Sequence, residues 1–129
     1  MEKKRILVVE DEESLLKLET ILLTVKGYEV VGVLTGSEAL QKLASESIDL
    51  ILLDIMLPDI DGFEICRRIQ NDPQLSRIPI VILTAKKSPA DLERGKTCGA
   101  RAYLTKPFKS AMVIEVIEKN LRESIIHGS

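Results

Sequence analysis

The chain has one histidine, His127, close to its C-terminus, so a site assembled from several imidazoles is excluded. Its two cysteines, Cys66 and Cys98, are far apart and make no Cys-x-x-Cys pair. They are expected to be free thiols in a reducing compartment, packing residues rather than ligands. No apolar run approaches the length of a bilayer span. Met1-Glu2-Lys3-Lys4 leads straight into a strand, without the apolar core and small-residue cleavage site of a signal peptide. These absences point to a cytoplasmic protein with no membrane partner. A one-sided charge is missing too: 18 basic residues stand against 20 acidic ones, a net charge of -2. No global field would draw such a chain onto nucleic acid. Repeats, linkers and low-complexity tracts are likewise absent. At 129 residues the expectation is one domain with a proper core, spanning 3–122 and followed by a short tail, 123–129.

What the chain does have is a set of four apolar runs that each stop on a chemically capable residue. Arg5-Ile6-Leu7-Val8-Val9 ends on Glu10-Asp11, and Ile48 to Leu53 ends on Asp54. Ile80-Val81-Ile82-Leu83 ends on Thr84, and Ala102-Tyr103-Leu104-Thr105 ends on Lys106-Pro107. Short, β-branched, nearly continuous apolar runs read as strands buried on both faces, the signature of a parallel sheet. Another strand, Glu29 to Leu34, lies between the first two.

Helical patterns alternate with these strands. Leu15, Leu18, Leu22 and Val25 recur at helical spacing until Gly27. Thr35-Gly36-Ser37-Glu38 reads as a capping box before Ala39, Leu40 and Leu43. A third helix buries Phe63, Ile65 and Ile69 and breaks at Asn71-Asp72-Pro73. Ser88-Pro89-Ala90-Asp91 is a cap followed by proline at the first helical position. The helix it opens has little apolar content beyond Leu92 and should be weakly held. The last helix, Ser110 to about Arg122, turns Val113, Ile114, Ile117 and Leu121 inward. Alternating β and α units imply right-handed crossovers and a doubly wound α/β sheet.

In such a sheet ligands bind beyond the carboxyl ends of the strands. Three carboxylates, a hydroxyl and an ammonium therefore converge on one rim. Asp11 read alone is as well explained as a cap of the first helix. Its location tips the reading, because nucleotide-binding relatives of this architecture place a glycine-rich phosphate loop there. Adjacent acids would repel a phosphate unless a cation came between, and hard oxygen ligands with room for water suit magnesium. A metal-clamped Asp54 can act as a nucleophile toward phosphorus. Lys106 then supplies the counter-charge for phosphoryl oxygens and Thr84 a hydroxyl donor.

Taken together, Ile6-Leu7-Val8-Val9-Glu10-Asp11-Glu12, Leu52 to Gly62, Leu83-Thr84-Ala85 and Lys106-Pro107-Phe108 resemble the receiver domains of bacterial two-component response regulators, with chemotaxis-regulator-like character. The resemblance runs from about Lys3 to Arg122. It implies a flavodoxin-like five-stranded parallel sheet in the order 2-1-3-4-5 with five helices, for which a family member is itself a standard example. It also implies that Asp54 takes a phosphoryl group from a sensor histidine kinase or a histidine phosphotransfer protein. Mg2+ would be held by Glu10, Asp11, Asp54 and the Met56 backbone carbonyl, with no other cofactor. Lys106 would contact the phosphoryl group, its bond to Pro107 would be cis, and Thr84 and Tyr103 would form the switch pair. Signalling would use the face made by the fourth helix, fifth strand and fifth helix, and the domain would turn over no external substrate.

Two other readings compete. An aspartate-nucleophile phosphatase would carry Asp-x-Asp-x-Thr, but position 56 is methionine and a cap domain has no room. A flavin- or nucleotide-binding module conflicts with the acidic first loop. Seven residues beyond Arg122 cannot form an output domain, so the chain reads as a stand-alone receiver or one excised from a longer regulator, with an unknown output protein and no direct nucleic-acid contact. Receivers of the winged-helix class look like Gly-Ala-Asp-Asp-Tyr before the end of strand five. This chain has Gly99-Ala100-Arg101-Ala102-Tyr103 instead, and Arg101 facing a partner's arginine would disfavour a symmetric dimer. A monomer is expected.

Overall fold

A computed structural model describes residues 2–128, with side chains described through Glu123. Five strands and five helices alternate: β1 (Arg5–Val9), α1 (Glu13–Val25), β2 (Glu29–Val33), α2 (Gly36–Ser45), β3 (Leu50–Leu53), α3 (Gly62–Asn71), β4 (Ile80–Thr84), α4 (Pro89–Thr97), β5 (Ala102–Thr105) and α5 (Ser110–Gly128). The strands are parallel and lie in the expected order β2-β1-β3-β4-β5.

Alternate residues of the central strands feed two separate cores. Leu7, Val9, Ile51, Leu53, Ile80 and Ile82 pack under α2 and α3. Ile6, Val8, Leu50, Leu52, Val81 and Leu83 pack under α1 and α5. Burial on both faces is why these strands read as unbroken apolar runs.

The helices follow their sequence signals with two exceptions. Thr35 caps α2 by accepting from the Glu38 N–H, and Glu38 answers by accepting the Leu34 N–H. Ser88 and Asp91 form a reciprocal capping box on α4. The first exception is α1. Leu18 and Val25 of the helically spaced set are exposed, and the helix buries Glu19 and Leu23. Apolar residues cover most of the circumference of α1, so periodicity leaves two candidate stripes. The charged Glu19 hid the one that docks. The second is the C-terminal boundary. No proline or glycine interrupts the chain between Ser110 and Gly128, and α5 runs on to Gly128 rather than stopping at Arg122. Residues 123–128 are thus the end of a helix, not a tail; Ser129 lies outside the described residues. Among the described residues no helix is long and apolar enough to cross a membrane.

Candidate functional site: an acidic pocket closed by a lysine

Strand register builds the site. Val9 pairs with Leu53 across β1 and β3, so the next residues, Glu10 and Asp54, emerge side by side. Their backbones stay tethered to the sheet, the Glu10 N–H donating to the Val33 carbonyl and the Asp54 N–H to that of Val9. Both carboxylates are buried, whereas Asp11 is exposed. Oxygens of Glu10, Asp11 and Asp54 all lie within 4.8 Å of one another, a donor set that fits a hard divalent cation. Asp11 does not cap α1: the N-cap is Glu12, which makes no side-chain cap bond.

Lys106 closes the pocket. Thr84 pairs with Thr105 across β4 and β5, and the Lys106 N–H donates to the Thr84 carbonyl. From there Lys106 Nζ reaches Glu10 Oε1 and Asp54 Oδ2, each at 2.7 Å. Burial alone would drive its ammonium down; the bonds to Asp54 and Glu10 outweigh that and hold its pKa above the ordinary value. Glu10 is raised, chiefly by burial, with Lys106 opposing and the Asp54 charge adding to the rise. The Lys106–Pro107 peptide is cis.

The loop after β3 is braced at several points. Asp54 Oδ1 accepts the Met56 N–H at 2.9 Å. Asp59 accepts the N–H groups of Gly36 and Ser37 at 2.9 Å each, tying this loop to the start of α2 and holding its own carboxyl below the ordinary range. Gly62 donates its N–H to the Ile55 carbonyl, and a Cβ there would come 2.5 Å from the Ile55 Cα. That close approach of two backbones requires glycine.

Thr84 and Tyr103 are joined through a residue that the sequence did not single out. The Lys86 N–H donates to Thr84 Oγ1 at 3.4 Å, and the Lys86 carbonyl accepts from the Tyr103 hydroxyl at 2.7 Å. The Tyr103 ring lies against Gly95 of α4, where a Cβ would meet it at 2.5 Å. Glu10, Asp11, Asp54, Thr84 and Lys106 thus lie at the strand ends, with Met56 tied to Asp54 through its N–H and Tyr103 tied to Thr84 through Lys86.

Glu19 was not anticipated there. It is 4 % exposed, and its Oε2 has no hydrogen-bond partner among the described residues. Burial first, and the Glu10 charge second, push its carboxyl up to about 8. A glutamate on an amphipathic helix normally faces solvent, so sequence gave no reason to place it behind the pocket.

Comparison with known proteins supplies the family. A model of the response regulator receiver domain matches residues 6–118. The chain is 43% identical over 123 residues to the alkaline phosphatase synthesis transcriptional regulatory protein PhoP of Bacillus subtilis, covering 95% of this chain and 50% of that protein. It is 38% identical to the response regulator PleD of Caulobacter vibrioides, covering 95% and 27%. The chain thus spans half or less of these relatives. A CheY-like receiver domain from Methanospirillum hungatei superposes with a TM-score of 0.92 at 30% identity, covering 98% and 99% of the two chains. The receiver domain of a histidine kinase from Syntrophus aciditrophicus gives 0.88 at 32% identity, covering 93% and 91%. These matches support neither the phosphatase nor the flavin-module reading. The chain belongs to the receiver domain family of two-component response regulators.

Proposed function

We propose that Asp54 accepts a phosphoryl group from a histidine kinase or histidine phosphotransfer protein in the cytoplasm. The observation that carries this reading is the buried Asp54 carboxylate, held between the Met56 N–H and the Lys106 ammonium, with Glu10 and Asp11 beside it. An Asp54 oxygen forms the new O–P bond as the P–N bond of the phosphohistidine donor breaks and imidazole leaves. Glu10, Asp11, Asp54 and the Met56 carbonyl would hold Mg2+, which supplies charge neutralisation between the acids and the incoming phosphoryl oxygens.

Lys106 bridges two carboxylates before transfer and pairs with a phosphoryl oxygen afterwards, a charge-assisted bond in each state. Thr84 donates its hydroxyl to another phosphoryl oxygen, and the movement toward it draws on the long contact that its Oγ1 accepts from the Lys86 N–H. Because Lys86 also holds Tyr103, a shift at Thr84 is transmitted to the tyrosine and to the α4–β5–α5 face. A few kcal/mol of differential interaction is enough to reverse such a two-state balance. The output is a change in binding to another protein, not turnover of an external substrate.

Incubation with acetyl phosphate and magnesium should add one phosphoryl group, detected by intact mass. Asp54→Asn should abolish it, and excess EDTA should prevent it. Uptake by Asp54→Asn at the wild-type rate would overturn the assignment.

A further inference from the structure

Away from the acidic pocket, the two cysteines that the sequence separates are brought into contact. Cys66 lies on α3 and Cys98 is the C-terminal cap residue of α4. Both are free thiols, and their sulfurs stand 2.7 Å apart. That is well inside ordinary van der Waals contact, and about 0.7 Å beyond a covalent S–S bond of about 2.05 Å.

The two thiols differ in their surroundings. Cys66 is fully buried, whereas Cys98 is 8% exposed. Cys98 reaches a surface cavity of about 250 Å³ whose lining includes Arg67, Arg94 and Thr97. The Cys66 thiol is pushed up by its contact with Cys98 and by burial, and it donates to the Cys98 carbonyl at 3.3 Å. The same contact draws Cys98 down, with burial opposing it, and the Cys98 thiol also lies 3.2 Å from the Gly95 carbonyl. One sulfur therefore opens on a surface cavity, and its fully buried neighbour stands in contact with it. That division of roles suits an attacking and a resolving cysteine.

We propose that Cys66 and Cys98 form a peroxide-oxidisable pair that closes an intramolecular disulfide between α3 and the end of α4. The oxidant is hydrogen peroxide, small enough for the Cys98 cavity. The Cys98 thiolate attacks one peroxide oxygen; an S–O bond forms, the O–O bond breaks, and the departing hydroxide takes up a proton as water. Cys98 is then a sulfenic acid. The Cys66 sulfur attacks the Cys98 sulfur; the S–S bond forms, the S–O bond breaks, and hydroxide leaves with the Cys66 proton as a second water. Two thiols and one peroxide give one disulfide and two waters, the sulfurs losing the two electrons that the peroxide gains.

The crosslink fastens the C-terminal end of α4 to α3. If α4 moves on phosphorylation, oxidation restrains that movement. The disulfide itself depends on nothing in the phosphotransfer reading.

The test treats the wild-type protein with hydrogen peroxide, alkylates it under denaturing conditions and measures its mass. The expected result is loss of two hydrogens, no alkylatable thiol and a monomeric band on a non-reducing gel. A Cys66 peptide should be linked to a Cys98 peptide, and dithiothreitol should reverse the change. In Cys66→Ser, dimedone should trap a sulfenic acid on Cys98. Two alkylatable thiols surviving conditions that oxidise free glutathione would overturn the proposal. So would sulfinic acid at Cys98 as the main product, or a disulfide formed only between chains. A dimedone adduct on Cys66 in Cys98→Ser, with none on Cys98 in Cys66→Ser, would refute the assigned order.

Discussion

Glu19→Gln should stabilise the protein at neutral and alkaline pH and change little in acid. The folded state holds the Glu19 carboxyl up to about 8, against an ordinary value of 4.5. A carboxyl raised on folding favours the protonated state, so its contribution is greatest below pH 4.5. It is lost progressively as pH rises through the folded value. At about 1.4 kcal/mol per pH unit, the stretch from 4.5 to pH 7 costs about 3 kcal/mol, a substantial share of a typical total of about 5–15 kcal/mol. Glutamine has the same shape and cannot ionise. Urea unfolding followed by circular dichroism at pH 5, 7 and 8.5 would measure the difference. The wild-type curve should fall with pH relative to the variant, the gap reaching about 3 kcal/mol near pH 7. Magnesium should narrow the gap by offsetting the negative charge of Glu10 and Asp54, leaving the part due to burial. Wild-type and variant stabilities that run parallel from pH 5 to 8.5 would refute the reasoning.

Thr84→Ala should still be phosphorylated but should blunt the chemical-shift changes of Tyr103 that accompany activation by beryllofluoride; changes of wild-type size would break the proposed link through Lys86. Gly95→Ala should displace the Tyr103 ring and lengthen or abolish its bond to Lys86, visible in the tyrosine ring resonances without any phosphodonor. Relief of the glycine's helix cost, about 0.5–1 kcal/mol, should partly offset the lost packing in thermal melts. Light scattering with and without beryllofluoride should find a monomer in both cases, because Arg101 is exposed on the β5 side of the output face. A tight activated dimer through that face would contradict the charge argument, and would show apolar contacts overriding it.

The sheet and its rim were legible because parallel strands announce themselves twice, as apolar runs and as the polar residue that ends each one. Glu10, Asp54, Thr84 and Lys106 were found this way with no knowledge of register. What escaped were features set by tertiary contact. Leu18 and Val25 carry a helical period as regular as that of the buried side of α1, and hydrophobicity alone does not say which stripe faces the sheet. Glu19 was invisible for the same reason, since a charge at a core position contradicts the pattern that identifies the core. Lys86 acts through its backbone, which no side-chain pattern records. The meeting of Cys66 with Cys98 depends on how α3 and α4 pack, and their separation in sequence carries no trace of it. The end of α5 was misplaced because the stripe read from the sequence was followed only to Leu121, while helix-compatible residues continue to Gly128.

The order of strands also shapes how the chain must fold. Each ladder of the sheet joins strands separated by a helical crossover, so no pairing is local and loop-closure entropy opposes every strand contact. The central pairing, β1 with β3, presses Glu10 against Asp54 as it forms. The ammonium that offsets them lies 52 residues beyond Asp54 and 96 beyond Glu10. Until β5 docks, the middle of the sheet carries two apposed acids without their lysine. Completion of the sheet and neutralisation of its centre are therefore one event. Divalent cations present during refolding should accelerate it, standing in for Lys106 wherever β5 has not yet docked.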